Sequence, residues 1–225
     1  MPLSLVIFDC DGVLIDSEAI CNRIVADMLT AIGWPMSADE AYERFIGLSF
    51  YDMQPLIEAH LGGGLGVDWV DTVVSRVTTA MADEVEMVPG ARVALDSVTA
   101  MGLPWRVASN SSHVEMDAKF RRTGLLDLVA GRVHSAVDVI ALGGAGKPAP
   151  DVYLAAAAAE GVPPHTCLAI EDSVAGVRAA VAAGMTCYGY CPDDDGAHLR
   201  AAGAEPFQSM HAMPDLLRAA MEGMR

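Results

Sequence analysis

Residues 6 to 18 read VIFDCDGVLIDSE, an apolar run that ends in Asp9 and Asp11 and then turns on Gly12. Holding two carboxylates this close is costly: at ~4 Å they repel by about 4 kcal/mol at an effective dielectric near 20. Further along, Ser109 and Asn110 close the run WRVAS, Lys147 lies in GKPAPD, and Glu171 and Asp172 close CLAIE. Carboxylates gathered from Asp9, Asp11, Glu171 and Asp172 need a compensating cation. Oxygen-only ligands select a hard divalent ion, and a set completed by water and a phosphate suits Mg2+ better than Ca2+. Lys147 and the Ser109 hydroxyl, with the neighbouring Asn110 backbone N–H, would then hold the remaining oxygens of a phosphoryl group. Taken singly, each piece is ordinary: Asp-x-Asp is a solvated turn, and Ser-Asn or Glu-Asp-Ser a helix cap. Their order, and their common position after apolar runs, point to chemistry.

The elements that must position these residues are legible in the apolar pattern. LSLVIFD (3 to 9) is short and continuously apolar, as a central parallel strand buried on both faces would be. Ile20, Ile24, Met28 and Ile32 recur every fourth place and Gly33 stops the run, which predicts an amphipathic helix from Ser17 to Ile32. Helices are expected near 38 to 46, 51 to 60 and 68 to 84, with LGGGLG (61 to 66) as a break and no strand between 15 and 85. From residue 86 strand and helix alternate. Helices are predicted over 91 to 101, 112 to 122, 150 to 160, 173 to 183 and 213 to 222. Strands are predicted at 105 to 109, near 131 to 134, at 167 to 171, at 186 to 190 and near 206 to 208. Such alternation implies an α/β fold: a doubly wound, Rossmann-like parallel sheet, with ligands bound outside the carboxyl ends of its strands. The expected domains are a core of 1–14 and 86–225 interrupted by a helical insert over 15–85.

The charge of -16 argues against nucleic acid or an anionic membrane as partner; the constellation above fits a phosphoryl group, so a small-molecule phosphate ester is the expected partner. An odd set of five cysteines without a Cys-x-x-Cys pair argues against disulfides and structural zinc. The N-terminus has no basic stretch before Asp9 and does not resemble a signal peptide, so a cytoplasmic location is expected; the expected assembly is a monomer or small homo-oligomer. Lysine occurs only at 119 and 147, while arginine is common, which singles out Lys147.

FDCDGVLIDSE, VASNS, GKPAPDVY and IEDSVAG resemble, in order and spacing, the four signature motifs of the haloacid dehalogenase-like hydrolase superfamily. The helical insert resembles the cap of its first subclass, a group that includes phosphoglycolate phosphatases, β-phosphoglucomutases and sugar-phosphate phosphatases. DSEAICNR and RFIGLS are most similar to bacterial 6-phosphogluconate phosphatases. The resemblance implies a phosphatase for a sugar phosphate or phosphosugar acid, with Asp9 as nucleophile and Asp11 as general acid and base. It implies Mg2+ on the Asp9 and Asp172 side chains and the Asp11 backbone carbonyl, with Glu171 a further ligand. Ser109, the Asn110 backbone and Lys147 would bind the transferring phosphoryl.

Asp11 counts against a haloacid dehalogenase, whose halide leaves without a proton. The mutases carry a histidine and an arginine where this chain aligns Cys21 and Phe50, which weakens that alternative. A phospho-accepting receiver module, the rival from another class, places its acidic pair before the acceptor aspartate, the reverse of the order here; a non-catalytic binding protein on the same fold is the remaining alternative. Selectivity is expected in the insert, where Arg23, Arg44, His60 and Arg76 are candidate anion contacts and Arg23 and Arg44 lie nearest segments resembling substrate-facing parts of related caps.

Overall fold

In the computed structural model, which describes residues 2–45, 48 and 50–223, the chain runs β1 (Leu5–Phe8), β2 (Ile15–Asp16), α1 (Glu18–Ala31), α2 (Ala38–Phe45), α3 (Phe50–Leu61), α4 (Trp69–Glu84), β3 (Glu86–Met87), α5 (Ala91–Ala100), β4 (Trp105–Ser109), α6 (His113–Arg122), α7 (Leu126–Val129), β5 (Val133–Ser135), α8 (Ala136–Ala141), α9 (Asp151–Glu160), β6 (Cys167–Glu171), α10 (Val174–Ala182), β7 (Thr186–Tyr190), α11 (Ala197–Ala202), β8 (Glu205–Phe207) and α12 (Met213–Gly223). Ile46, Gly47 and Ser49 of the RFIGLS stretch lie outside the described residues. The chain divides into two compact units, Met1–Asp16 with Glu86–Arg225, and Ser17–Val85.

In the first unit the strand order is β5-β4-β1-β6-β7-β8, with every pairing parallel. All four residues of β1 are fully buried, because helices cover both faces of a parallel sheet. The chain leaves β1 toward β4 on one side and later returns to β6 on the other, so β1 lies at the switch point of the sheet. Phe8 is level with Val107 of β4 and Ile170 of β6, and the Asp9 N–H donates to the Ile170 carbonyl at 2.9 Å. The register therefore delivers Asp9, Ser109 and Glu171 to one edge. Small residues let the helices lie close beneath: Ala156 and Ala157 of the alanine-rich α9 are buried with Leu5, Ile7 and Ala169.

In the second unit α1 buries Ile20, Val25, Ala26, Met28 and Leu29, and α4 buries Val70, Val73, Val77, Ala80 and Met81. The expected stripe on α1 is partly wrong. Ile32 lies past the end of the helix and is exposed, and Val25, Ala26 and Leu29 fill the face instead. A second correction concerns strands: Ile15–Asp16 pairs antiparallel with Glu86–Met87, where no strand is expected between 15 and 85. A two-residue strand is too short to show periodicity, and it forms only because its partner returns 70 residues later. The short helices α7, α8 and α11 were likewise not anticipated, for want of the two turns that make a pattern visible.

Ser112 caps α6 with a full capping box: its hydroxyl accepts from the Glu115 N–H at 3.3 Å, and the Glu115 carboxylate accepts from the Ser112 N–H at 2.7 Å. This cap fixes where the loop after β4 becomes helix. Ser112→Ala is expected to cost ~1 kcal/mol in urea unfolding, and an unchanged midpoint would remove the cap from the account.

Candidate active site

Asp9 follows β1 and is 7% exposed. Lys147, on the loop before α9, donates from Nζ to Asp9 Oδ1 at 2.6 Å, to Glu171 Oε1 at 2.6 Å and to the Ala108 carbonyl at 2.9 Å. Its three protons are thereby directed at the ends of three adjacent strands. Glu171 is fully buried and its oxygens accept five bonds. Oε1 takes Lys147 and the Tyr153 hydroxyl at 2.7 Å; Oε2 takes the Asp172 and Ser173 N–H groups and the Ser173 hydroxyl, at 3.0 to 3.2 Å.

Asp9, Glu171 and Asp172 each offer an oxygen, and these oxygens lie within 4.8 Å of one another. The chain is shaped to allow this approach. Gly12 has φ +77, and a Cβ there would fall 1.8 Å from Asp172 Oδ2. Gly176 in the first turn of α10 is similarly required, since a Cβ would fall 1.8 Å from Glu171 Oε1. Three hard oxygen donors in such a cradle fit a hard divalent cation.

Burial, the largest influence, pushes the Asp9 carboxyl up to about 7; Lys147 opposes it, and Glu171 and Asp11 add to it. For Lys147 burial works toward the neutral amine, but the Asp9 and Glu171 carboxylates outweigh it and hold the ammonium above its usual range.

On the other side of β1, Ser109 is buried and its hydroxyl accepts from the Ser111 N–H at 3.0 Å, keeping its own proton to donate. Asn110 ties this loop to the Lys147 loop: its Oδ1 accepts from the Lys147 N–H at 2.9 Å. Asp11 is held by Lys119, whose Nζ lies 2.7 and 2.9 Å from its two oxygens, and by the Ser111 hydroxyl at 2.9 Å.

Asp9, Asp11, Ser109, Asn110, Lys147, Glu171 and Asp172 thus converge from four segments. Arg23 and Arg44 belong to the second unit and make their described contacts within it. Arg23 pairs with Glu84 at 2.6 Å, both about half exposed, and the Arg44 guanidinium lies 5.0 Å from the Trp34 ring centre, a ring that also stacks on His60 at 3.6 Å. Sequence reasoning missed Lys119, Ser111 and Tyr153. Lys119 had a visible signal, as one of two lysines in the chain and on the α6 face shared by buried Met116 and Phe120; Tyr153 and Ser111 had none beyond adjacency to motifs.

Residues 3–184 match the family model described as haloacid dehalogenase-like hydrolase. The 6-phosphogluconate phosphatase of Escherichia coli K12 is 28% identical over 218 residues, covering 96% of each chain, and hexitol phosphatase B of the same strain is 31% identical over 80% of this chain and 79% of its own. Among solved structures, a HAD family hydrolase from Deinococcus radiodurans, crystallised with phosphate and sodium, superposes with a TM-score of 0.83 at 32% identity, covering 97% of this chain and 96% of its own. Asp-x-Asp at the switch strand, the loop after β4 tied to Lys147 and the acidic pair at the end of β6 accompany that match over most of the length, and the chain belongs to the haloacid dehalogenase-like hydrolase family.

Proposed function

We propose that this protein is a Mg2+-dependent phosphatase of small phosphomonoesters, sugar phosphates or phosphosugar acids, working in the cytoplasm through an aspartyl-phosphate on Asp9. The observation that carries the reading is the position of Asp9 at the end of the switch strand, between the Lys147 ammonium and the carboxylates of Glu171 and Asp172. The substrate class is supported by relatives named 6-phosphogluconate phosphatase and hexitol phosphatase B.

In this reading an Asp9 oxygen attacks phosphorus, the bond from phosphorus to the ester oxygen breaks, and Asp11 gives that oxygen its proton. Water then attacks the phosphorus of the aspartyl-phosphate and passes a proton to Asp11, releasing inorganic phosphate and restoring Asp9. Lys147, the Ser109 hydroxyl and the Asn110 N–H hold the phosphoryl oxygens and meet their charge as it redistributes. Asp9 and Asp172 would hold Mg2+ by their side chains and Asp11 by its carbonyl, while Glu171, with both oxygens already accepting, anchors Lys147. The bound ion supplies charge neutralisation between the anionic nucleophile and the anionic ester. Residues 15–85 serve as the cap that excludes water and selects the ester, with Arg23 and Arg44 as contacts for its polar end.

Asp9→Asn is expected to abolish phosphate release while the circular dichroism and melting curve stay those of a folded protein; turnover by the pure variant would refute the nucleophile. Asp11→Asn is expected to lose ~10² to 10⁴ in kcat on an alkyl phosphate and less on p-nitrophenyl phosphate, whose leaving group needs little protonation. Equal losses on the two would give Asp11 another role.

The raised Asp9 carboxyl has a consequence for stability in excess chelator. The folded carboxyl holds its proton more tightly than the unfolded one, so its contribution is full below about pH 4 and is lost as pH rises through about 7. Between about pH 5 and 7.5 the wild type should therefore lose more stability than Asp9→Asn. Parallel stability curves for the two proteins would contradict the raised carboxyl.

A further inference from the structure

The chain has 14 basic side chains, Lys and Arg together, and only Lys119 and Lys147 are lysines. Both are buried, and each clamps one of the two aspartates of the first motif: Lys147 holds Asp9 and Lys119 holds Asp11. Lys147 is accounted for by the phosphoryl site. Lys119 is not.

Lys119 sits on the inward face of α6 with Met116 and Phe120, both fully buried, and is itself 4% exposed. An aliphatic residue would suit that face as well, since a buried ion pair seldom outperforms well-packed apolar groups in stability. All three ammonium protons have acceptors in one small cluster: Asp11 Oδ1 at 2.7 Å, Asp11 Oδ2 at 2.9 Å and the Ser111 hydroxyl at 3.1 Å. The Ser111 hydroxyl donates in turn to Asp11 Oδ2 at 2.9 Å. Ser111 is also tied down at its backbone, with its N–H on the Ser109 hydroxyl at 3.0 Å and its carbonyl on the Ser135 hydroxyl at 2.7 Å. A compact ammonium can join these three oxygens at once, whereas the planar fork of arginine cannot.

We infer that Lys119 is a positioning residue for the reaction, which with Ser111 docks the Asp11 carboxylate against the phosphate-binding loop and so sets the direction from which Asp11 meets the ester oxygen. The inference rests on the proposed acid–base role of Asp11 and extends it. Without the clamp, a carboxylate on a turn whose side chain is 31% exposed would sample several rotamers, and the clamp holds it in one. The rigid base of the clamp is β4 and the capped start of α6, so the helix that carries Lys119 is held by the same loop that its ammonium grips.

The test compares wild type, Lys119→Met, Asp11→Asn and the double variant, with Mg2+, on phenyl phosphate and p-nitrophenyl phosphate. Lys119→Met is expected to lower kcat on phenyl phosphate by ~10- to 10²-fold with KM little changed, to lower it less on p-nitrophenyl phosphate, and to add nothing in the Asp11→Asn background. An unchanged kcat for Lys119→Met, or a loss that multiplies in full with that of Asp11→Asn, would overturn the inference. Should Lys119→Met not fold, Ser111→Ala removes one arm of the clamp alone; it is expected to show the same leaving-group dependence and the same silence in the Asp11→Asn background, and its absence would count against the clamp. If Asp11→Asn itself turned over phenyl phosphate at the wild-type rate, the acid–base role of Asp11 would fail, an outcome distinct from an additive Lys119 effect on an impaired Asp11→Asn.

Discussion

Asp9, Glu171 and Asp172 bring three carboxylates within 4.8 Å of one another, and the Lys147 ammonium bonds two of them. One ammonium balances one of three charges, in a place where burial already pushes the Asp9 carboxyl up to about 7. Much of the surrounding structure serves to tolerate this arrangement. Tyr153, the Asp172 and Ser173 N–H groups, the Ser173 hydroxyl and Lys147 give Glu171 five donors, so its charge is spread over a hydrogen-bond network. Gly12 and Gly176 clear the space that the Asp172 and Glu171 carboxylates occupy. A divalent cation held by this cluster would complete the balance.

The sheet topology explains why these groups can meet at all. Asp9, Ser109 and Glu171 are separated by up to 162 residues in the chain, yet each ends one of three adjacent parallel strands, so one register places all three on one edge. Helices pack closely against that sheet through small residues, which keeps the strand ends from shifting against one another. The loops with Asp9, Ser109 and Asp172 each begin on a fixed strand, and the one with Lys147 runs between α8 and α9.

Much of this was legible before the structure. The burial of β1 on both faces was visible in LVIF, the strands WRVAS, CLAIE and TCYGY have the bounds their apolar runs suggested, and the motif residues stood at their ends. Other features were not, for physical reasons. Ile15–Asp16 is a strand only by virtue of Glu86–Met87, and no local pattern of two residues announces a partner so far away. The helix face of α1 was misread because apolar side chains recur along it on more than one spacing, and the fourfold one ended at Ile32, beyond the helix. Lys119 had a rarity in the sequence but no role; only the position of α6 reveals that its neighbours are Asp11 and Ser111.

The claim on which the account turns is that the carboxylate group at the end of β1 and β6 takes a divalent cation. Calorimetric titration of the metal-stripped protein with Mg2+ near neutral pH tests it without reference to any substrate. One ion should bind per chain, and Asp172→Ala should bind it at least tenfold more weakly, the ~1.4 kcal/mol expected at a minimum for losing a charged ligand. No heat of binding in the wild type, or binding undiminished in Asp172→Ala, would contradict the account.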